Sequence, residues 1–387
     1  MSADLLGVAP AGDVVAAVDD LTQSIVDQAP VIERDRELPA GLIDDLVRAG
    51  CFRLLLPARH GGFGADLATA IDVWRRLARA DASVAWTAMI GGAAWCDLAG
   101  LPRASFDELF PHDGDVIVAG AFSPTGSITL HADGYAVSGR WGFASGCRHA
   151  TVLYGNCVDA GSDSAMPLRI AVFEPADVVI EDTWSTLGLR GTGSHHFHVE
   201  NVIVPAERTL DPIGDEANVD TPIVRIPVPT LASLALAGVA LGIAQGAVSD
   251  IVSIADGKVP LLAAAPLASD PTFQNQLATV DTGVRAAHAL LNETIGATWA
   301  TAVEARPLTP ELRADVRSAA NWIVDRAVAA VDACHRAAGS ASVYTGSPLE
   351  RRLRDIHTLT QHFLVRADAT TVAGSVLAGR PLEAMVF

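Results

Sequence analysis

The sequence predicts a mostly helical α+β protein in which a β-domain lies between two helical regions. Apolar residues recur with a period near 3.6 in the first and last parts of the chain, as on the buried face of a helix. Between them the period falls to about 2, the spacing of a half-buried strand. We therefore predict an N-terminal helical domain (1–112), a central β-sandwich or barrel domain (113–222) and a C-terminal four-helix bundle (223–387).

The N-terminal domain is predicted to contain four helices. Pro39 and Gly50 bracket the second helix, because proline suits a first helical turn and glycine a helix end. A loop at 57–64 is rich in Gly and Pro and separates the first pair of helices from the second. The predicted helices are 13–28, 40–49, 66–80 and 82–98.

The central domain is predicted to contain at least six short strands. Asp133-Gly134 lies between two of them and is typical of a two-residue hairpin turn, because glycine accepts a positive φ. So many short strands within about ninety residues favour a small sandwich or barrel. The strands centre on 116–118, 128–130, 135–137, 152–154, 170–172 and 197–199.

Four long helical patterns make up the last part of the chain. Thr309 and Pro310 mark a helix start with a hydroxyl cap and a proline in the first turn, and Gly339 marks its end. The stretch 228–248 is nearly all apolar, and we expect a buried bundle helix there rather than a membrane span. The predicted helices are 231–255, 275–305, 311–337 and 349–377.

Composition excludes several classes of protein. The 387 residues carry a formal charge of −18 and contain no basic cluster, which argues against nucleic-acid binding. The five cysteines include no CxxC pair, as expected for reduced thiols in the cytoplasm. The first residues lack the basic and apolar regions of a signal peptide, so we expect a cytoplasmic protein.

Several well-known site motifs are absent from the sequence. There is no GxGxxG after a strand, no GxxxxGK[ST], no HExxH and no GxSxG. His196, His198 and Glu200 share one face of a strand, and such ligands can bind iron or zinc. A polar solvent face or a subunit contact explains them more simply, so we predict no metal.

Trp141, Phe143 and Ser145 alternate along a predicted strand and are therefore expected to share one face. Two aromatic rings and a hydroxyl on one face suit a planar ligand such as a flavin, which needs an apolar wall for its ring and a hydrogen-bond donor near N5. An ordinary sandwich core with a buried serine is the alternative interpretation.

Three further segments complete the pattern. They are the turn Ala119–Gly126, the loop Gly188–Ser194 and the C-terminal stretch Arg354–His362. With the Trp141 segment and the helix–strand–helix layout, they make the chain similar to the acyl-CoA dehydrogenase superfamily. Within it, the chain most resembles the flavin-dependent monooxygenases, which include the oxygenase components of p-hydroxyphenylacetate hydroxylase, dibenzothiophene monooxygenase and steroid-ring hydroxylases.

The resemblance implies a cofactor and its contacts. Reduced FMN or FAD would be supplied by a separate flavin reductase and would react with O2, and the enzyme would be a homotetramer. Ser145 would face flavin N5, with Trp141 and Phe143 beside the ring. The small residues of the turn allow close approach, so we assign Ala121, Phe122 and Ser123 to the flavin as well. Lys258 is the candidate for a phosphate contact.

His362 is the preferred catalytic residue. Where straight-chain dehydrogenases carry a catalytic glutamate, this chain reads Thr360-Gln361-His362, without a carboxylate. By resemblance, the imidazole would deprotonate a phenol or stabilise the oxygenated flavin, and its ordinary pKa near 6.5 suits either role. His357 would point away from the site.

Two residues are candidates for substrate binding, Arg190 and Trp86. Arg190 can orient a substrate or phosphate through forked hydrogen bonds, or it can equally lock its own loop. The sequence also departs from the phenol hydroxylases, because no histidine lies between residues 61 and 111, where those enzymes carry a second imidazole.

The predicted function is the oxygenase component of a two-component flavin-dependent monooxygenase acting on a small, mostly apolar or aromatic substrate. One alternative is an FAD-dependent acyl-CoA dehydrogenase whose base lies elsewhere in the chain. Another is a family member that binds ligand without turnover. Whether carbon, nitrogen or sulfur is oxidised is left open.

Overall fold

The computed structural model of the protein describes residues 11–162, 164–366 and 370–380. The N-terminal part is helical, as predicted, but its first helix is longer than expected and contains Pro30. The fourth predicted helix is split, because its last turn, Ala94–Leu98, is a 3-10 helix. The helices are α1 (Ala11–Asp35), α2 (Ala40–Arg48), α3 (Leu67–Ala80), α4 (Ala82–Ala93) and α5 (Arg103–Leu109).

The strands form a single sheet of seven in the order β5-β6-β2-β1-β3-β4-β7. All pairs are antiparallel except β1 with β3. The predicted fold class, mostly helical α+β, is confirmed. The strands are β1 (Val118–His131), β2 (Gly134–Ala144), β3 (Val152–Asp159), β4 (Leu168–Phe173), β5 (Val179–Glu181), β6 (His195–Val204) and β7 (Thr209–Leu210).

Trp141 forms the centre of a separate apolar core inside the sheet. Its ring is fully buried and packs against Phe173 of β4 and Phe197 of β6, with centroids 5.5 and 5.0 Å away. Its indole N–H donates to the carbonyl of Asn156 at 2.7 Å. Because strands from both halves of the sheet meet at one ring, the sheet curls around it.

The C-terminal part is a bundle around α6, a 30-residue helix buried along most of its length. By length and composition α6 could cross a membrane, but 83% of its most apolar window is buried inside the protein. Gly242 lets α3 approach, because a Cβ there would lie 2.2 Å from the carbonyl oxygen of Arg75. The helices are α6 (Val228–Gly257), α7 (Pro271–Val303), α8 (Pro310–Ala338), α9 (Pro348–Leu359) and α10 (Thr370–Leu377).

The predicted single helix 349–377 was wrong. The helix α9 ends at Leu359, residues 360–366 are not helical, and the helix described next is α10, Thr370–Leu377. Beyond α9 the backbone forms short turns, in which the N–H groups of Gln361 and His362 donate to the carbonyls of Thr358 and Leu359 at 3.1 and 3.0 Å. His362 therefore lies in a turn and not on a helix.

The proposed domain bounds at 112 and 222 fall in connecting segments. The helix α5 ends at Leu109 and β1 begins at Val118, while β7 ends at Leu210 and α6 begins at Val228. We keep the three-part division as a proposal, noting that one apolar cluster joins the N-terminal and C-terminal helices.

The packing around Trp141 predicts that Gly155→Ala destabilises the protein. A Cβ on Gly126, Gly139 or Gly155 would lie 2.3, 2.6 or 2.5 Å from the Trp141 ring. Forcing a methyl group into so dense a core costs about 1–3 kcal/mol. Denaturant unfolding should show that loss in the free energy of unfolding.

Gly283→Ala is the matched control, because nothing lies within 4 Å of a Cβ on this glycine of α7. The same exchange in an open helix position should stabilise by about 0.5–1 kcal/mol. Equal stability of Gly155→Ala and wild type would contradict the packing account.

Candidate active site

A cavity of about 530 Å³ lies where α4, the sheet, the start of α6 and the turn after α9 meet. Its walls are mostly apolar, and a few polar groups point into it. Its polar and aromatic lining residues are Trp86, Asp97, Phe122, Ser123, Phe143, Ser145, Tyr154, Trp184, Thr186, Thr192, Ser194, Thr358, Gln361, His362 and Phe363.

One side of the cavity is a single helical face. Trp86, Met89, Ala93 and Asp97 follow one another at spacings of three or four residues and all line it. Trp86 and Asp97 are therefore separated by three turns, roughly 17 Å along the axis. This face gives the cavity two polar ends.

At the first end, four side chains form a continuous chain of hydrogen bonds. The indole N–H of Trp86 donates to the hydroxyl of Ser145 at 3.0 Å. Ser145 and Ser194 are 2.7 Å apart, and Ser194 and Thr192 are also 2.7 Å apart. Thr192 donates in turn to the carbonyl of Leu189 at 2.8 Å. This hydroxyl chain links α4 to β2 and to the loop before β6.

The loop that carries Thr192 and Ser194 is held from behind by α9. The carboxylate of Asp355 accepts a hydrogen bond from the Leu189 amide at 2.7 Å. Leu189 itself has a left-handed backbone, with φ 51°. Burial, together with the nearby carboxylate of Asp81, raises the pKa of Asp355 to about 7. The pair Arg354-Asp355, which carried the family resemblance, therefore fixes the loop.

Arg190 is bound to its own surroundings and does not line the cavity. It donates to the carbonyls of Glu33 and Thr186 at 3.2 and 2.9 Å, and it pairs with the Glu33 carboxylate at 3.1 Å. The substrate-binding role assigned to it is therefore corrected, because its guanidinium binds the loop and α1 and is not part of the cavity lining.

His362 lines the cavity, with its ring edge-on to Trp86 at 5.9 Å and stacked on Phe363 at 5.0 Å. The backbone N–H of Leu364 donates to its Nδ1 at 3.3 Å. Burial, and secondly the nearby Arg317 guanidinium, lower the pKa of His362 to about 4. At neutral pH the imidazole is thus uncharged, with its proton on Nε2, where it is a donor rather than a base.

At the other end of the cavity, Asp97 and Tyr154 form a pair. The Tyr154 hydroxyl donates to Oδ2 of Asp97 at 2.7 Å, and both residues line the cavity. Burial raises the pKa of Asp97 to about 6 and that of Tyr154 well above its ordinary value. Gly120 makes room for the tyrosine, because a Cβ there would lie 2.2 Å from its ring.

The structure brings together most of the residues assigned to the flavin. Ala121, Phe122, Ser123, Phe143 and Ser145 all line the cavity. The Phe122 and Phe143 side chains are 55% and 73% exposed, respectively, so their rings are open to a ligand. Trp86, assigned to the substrate, also lies on the wall, and its indole N–H donates to Ser145.

Two assigned flavin contacts do not reach the cavity. Trp141 is buried in the core of the sheet, and Lys258 donates to the carbonyl of Ala338 at the end of α8. The expectation that Trp141 and Phe143 share a face fails because the register of β2 shifts between Trp141 and Ala144. Phe143 takes a φ of 63° at this bulge, which turns its ring outward.

The histidines considered for a metal have other contacts. His198 binds the carboxylate of Glu181 at 2.9 Å, and the ring of His196 lies against Phe143 and Gly142. Within the part of the chain that the structure describes, no group of three His, Cys, Asp or Glu side chains could hold a metal ion.

Sequence reasoning missed Asp97 and Tyr154. One signal was available, because Asp97 is the only charged residue between Asp81 and Arg103, in an otherwise apolar helical stretch. Nothing in the sequence pointed to Tyr154, because its contact with Asp97 joins elements 57 residues apart.

The cavity suits the ring system of a flavin. Exposed Phe122 and Phe143 offer apolar surface to a planar ligand, and Ser145 presents an oxygen to it. The fit is limited to the ring, because no Lys or Arg lines the cavity within the described residues.

Known flavoprotein families resemble this chain over most of its length. Residues 13–99 match the N-terminal domain of acyl-CoA dehydrogenase, and residues 234–367 match its C-terminal domain. The chain is 30% identical to an indole-3-acetate monooxygenase of Acinetobacter baumannii, over 93% of this chain and 92% of that protein. It is 29% identical to the flavin-dependent monooxygenase oxygenase subunit HsaA of Rhodococcus jostii, over 89% and 92% of the two chains.

A crystal structure extends this likeness to three dimensions. The HsaA monooxygenase from M. tuberculosis superposes with a TM-score of 0.89 at 26% identity, covering 98% of this chain and all of that one (100%). The whole arrangement of helices and sheet is thus shared.

The geometry predicts that His362 does not titrate near neutrality. Its NMR ring signals should stay constant from about pH 8 to about pH 5.5, whereas an unfolded histidine titrates near 6.5. Because the unfolded chain takes up this proton at a higher pH, the side chain lowers stability as pH falls from about 6.5 to about 4. His362→Phe identifies the signal by its loss, and a midpoint near 6.5 would contradict the assignment.

Proposed function

The chain belongs to the acyl-CoA dehydrogenase family, among the oxygenase components of flavin-dependent monooxygenases, and we propose that it oxidises a neutral aromatic substrate carrying an N–H or O–H group. The cofactor is reduced FMN or FAD. When bound, reduced flavin supplies the two electrons that activate O2, so that one oxygen atom enters the substrate and the other leaves as water.

The observation that carries the proposal is the polarity of the cavity. Its apolar walls hold a neutral imidazole and a shielded hydroxyl at one end and a carboxylate at the other. Apolar surroundings lower the local dielectric, which strengthens each polar contact inside. These polar groups are what the protein contributes to orientation.

We assign the flavin side to Phe122, Phe143 and Ser145. The two phenyl rings would cover the flat cofactor, and the oxygen of Ser145 would face its N5 position. Trp86 and Ser194 hold that oxygen in place from behind.

We assign the substrate side to Asp97, His362 and the apolar surface between them. Tyr154 occupies Oδ2 of Asp97, while Oδ1 has no hydrogen-bond partner within the described residues. That oxygen is an acceptor for a substrate N–H or O–H. A carboxylate substrate would instead meet Asp97 with no Lys or Arg on the cavity wall, so we favour a neutral one.

In this proposal His362 acts through its Nε2–H. It donates a hydrogen bond toward the reacting end of the cavity and remains uncharged at pH 7. The acid–base role expected from its ordinary pKa is replaced by this donor role, because the buried ring resists protonation.

Partners follow from the family. Oxygenase components take reduced flavin from a separate reductase, and we extend this to the present chain. We also propose a homotetramer in the cytoplasm. Trp322 of α8 and Val303 of α7 are exposed large apolar side chains on the outer bundle helices, where a second copy would cover them.

The first test is turnover. The protein, supplied with reduced FMN or FAD and O2, should place one atom of labelled oxygen into a phenolic or indolic probe, measured by mass spectrometry. His362→Phe keeps the ring contacts and removes the donor, so oxidation should fall on the order of 10²-fold.

His357→Phe is the matched control, since this half-exposed ring on α9 pairs with Asp332, away from the cavity. It should oxidise the probe at the normal rate. Reduction of bound flavin by an acyl-CoA without a reductase would instead select a dehydrogenase and contradict the proposal.

The second test concerns Asp97. Indole and benzofuran have nearly the same shape, but only indole offers an N–H. A hydrogen bond to a charged group contributes about 1.5–3 kcal/mol, so the protein should bind indole at least about ten-fold more tightly. Calorimetry of Asp97→Leu should show that preference lost.

Tyr154→Phe keeps the carboxylate and should keep the preference for indole. If Asp97→Leu still discriminated between the two probes, the carboxylate would not be the substrate acceptor.

A further inference from the structure

We infer that Thr192 and Ser194 are positioning residues that turn Ser145 into a hydrogen-bond acceptor, so that the site selects reduced over oxidised flavin. The inference rests on the proposed function, because it concerns the flavin that Ser145 faces. It follows from the direction of the hydroxyl chain, which the geometry of its two ends determines.

The two ends of the hydroxyl chain allow its hydrogen bonds to run in only one direction. The indole nitrogen of Trp86 is a donor and cannot accept, whereas the carbonyl of Leu189 is an acceptor and cannot donate. Between them lie three hydroxyl groups, joined by bonds of 3.0, 2.7, 2.7 and 2.8 Å. Four hydrogen atoms serve four bonds, so each hydroxyl donates toward Leu189.

The protons can be assigned one by one from the Leu189 end. Thr192 has one hydroxyl hydrogen, and at 2.8 Å from a carbonyl it must donate there. Ser194 must then donate to Thr192, which leaves Ser145 to donate to Ser194. Ser145 accepts from Trp86 as well, so only one lone pair is free to face the cavity.

The surroundings of the hydroxyl chain fix this arrangement of its hydrogens. Ser145, Ser194 and Thr192 are all buried, so water does not compete for their hydrogens. The Leu189 oxygen is fixed further by donors from the Trp184 indole at 3.0 Å and the Thr192 backbone at 3.2 Å. The N–H of Leu189, in the preceding peptide unit, donates to Asp355.

The direction matters because flavin N5 changes its hydrogen-bonding character with redox state. Reduced flavin carries a hydrogen on N5 and can donate to the free lone pair of Ser145. Oxidised flavin has a lone pair on N5, which would face another lone pair. A site with this order of hydrogen bonds binds reduced flavin more tightly than oxidised flavin.

Thr192→Val tests the inference with little change of shape. Without the Thr192 hydroxyl, Ser194 is free to donate to Ser145, and the Ser145 hydrogen can turn to oxidised N5. Oxidised FMN should therefore bind about five-fold more tightly than in wild type, while reduced FMN binds as before. For a two-electron couple the midpoint potential of the bound flavin falls by roughly 20 mV.

Two further variants distinguish the direction of the hydrogen bonds from the presence of the Ser145 hydroxyl itself. Ser194→Ala also frees the Ser145 hydrogen and should tighten oxidised FMN in the same way. Ser145→Ala removes the acceptor and should instead weaken reduced FMN. Thr87→Val is the control, because this buried hydroxyl on α4 has no hydrogen-bond partner within the described residues and lies outside the chain.

Binding is measured by anaerobic titration with FMN in each redox state, together with the potential of the bound flavin. An unchanged ratio of oxidised to reduced affinity in Thr192→Val and Ser194→Ala would overturn the inference alone. Failure of the wild-type protein to bind FMN or FAD in either state would overturn the proposed function itself.

Discussion

The site depends on one buried contact, the hydrogen bond from the Leu189 amide to the carboxylate of Asp355. It joins α9 to the loop that leads into β6, across 166 residues of sequence. A Cβ on Gly188 would lie 2.2 Å from the carbonyl of Arg354, so helix and loop are in direct backbone contact. The loop binds the Trp184 indole through the carbonyl of Leu189, and it binds Ser145 through the hydroxyl of Ser194. A shift of the loop would therefore move the whole hydroxyl chain.

The order of helices and strands could be predicted because burial imposes a period on each element. The switch from 3.6 to 2 near Val118 and back near Val228 follows from which face each element buries. The end of α9 could not be predicted in the same way, because the apolar pattern continues past Leu359 while the backbone changes to short turns, in which the N–H groups of Gln361 and His362 bond three residues back. These turns bring His362 to the cavity.

The site was only partly predictable for a related reason. Ser145 and Phe143 belong to one short segment whose composition points to a ligand, but a bulge decides which way each side chain faces. Trp141, two residues earlier, is turned into the sheet core and supports the wall without forming it. Contacts between distant segments, such as Trp86 with Ser145, leave no local pattern that spacing could reveal.

The polar groups of the cavity divide into hydrogen-bond acceptors and a hydrogen-bond donor. Ser145 offers a lone pair, Asp97 offers a carboxylate oxygen, and His362 offers an N–H. Two acceptors and one donor match a pair of ligands that each bring an N–H or O–H, one of them reduced flavin. Burial keeps His362 neutral and makes the charge on Asp97 costly, so Oδ1 of Asp97, the oxygen that Tyr154 leaves without a hydrogen bond, gains most from a donor in the cavity. A ligand that donates a hydrogen bond to this oxygen offsets the free-energy cost of burying the Asp97 carboxylate away from water.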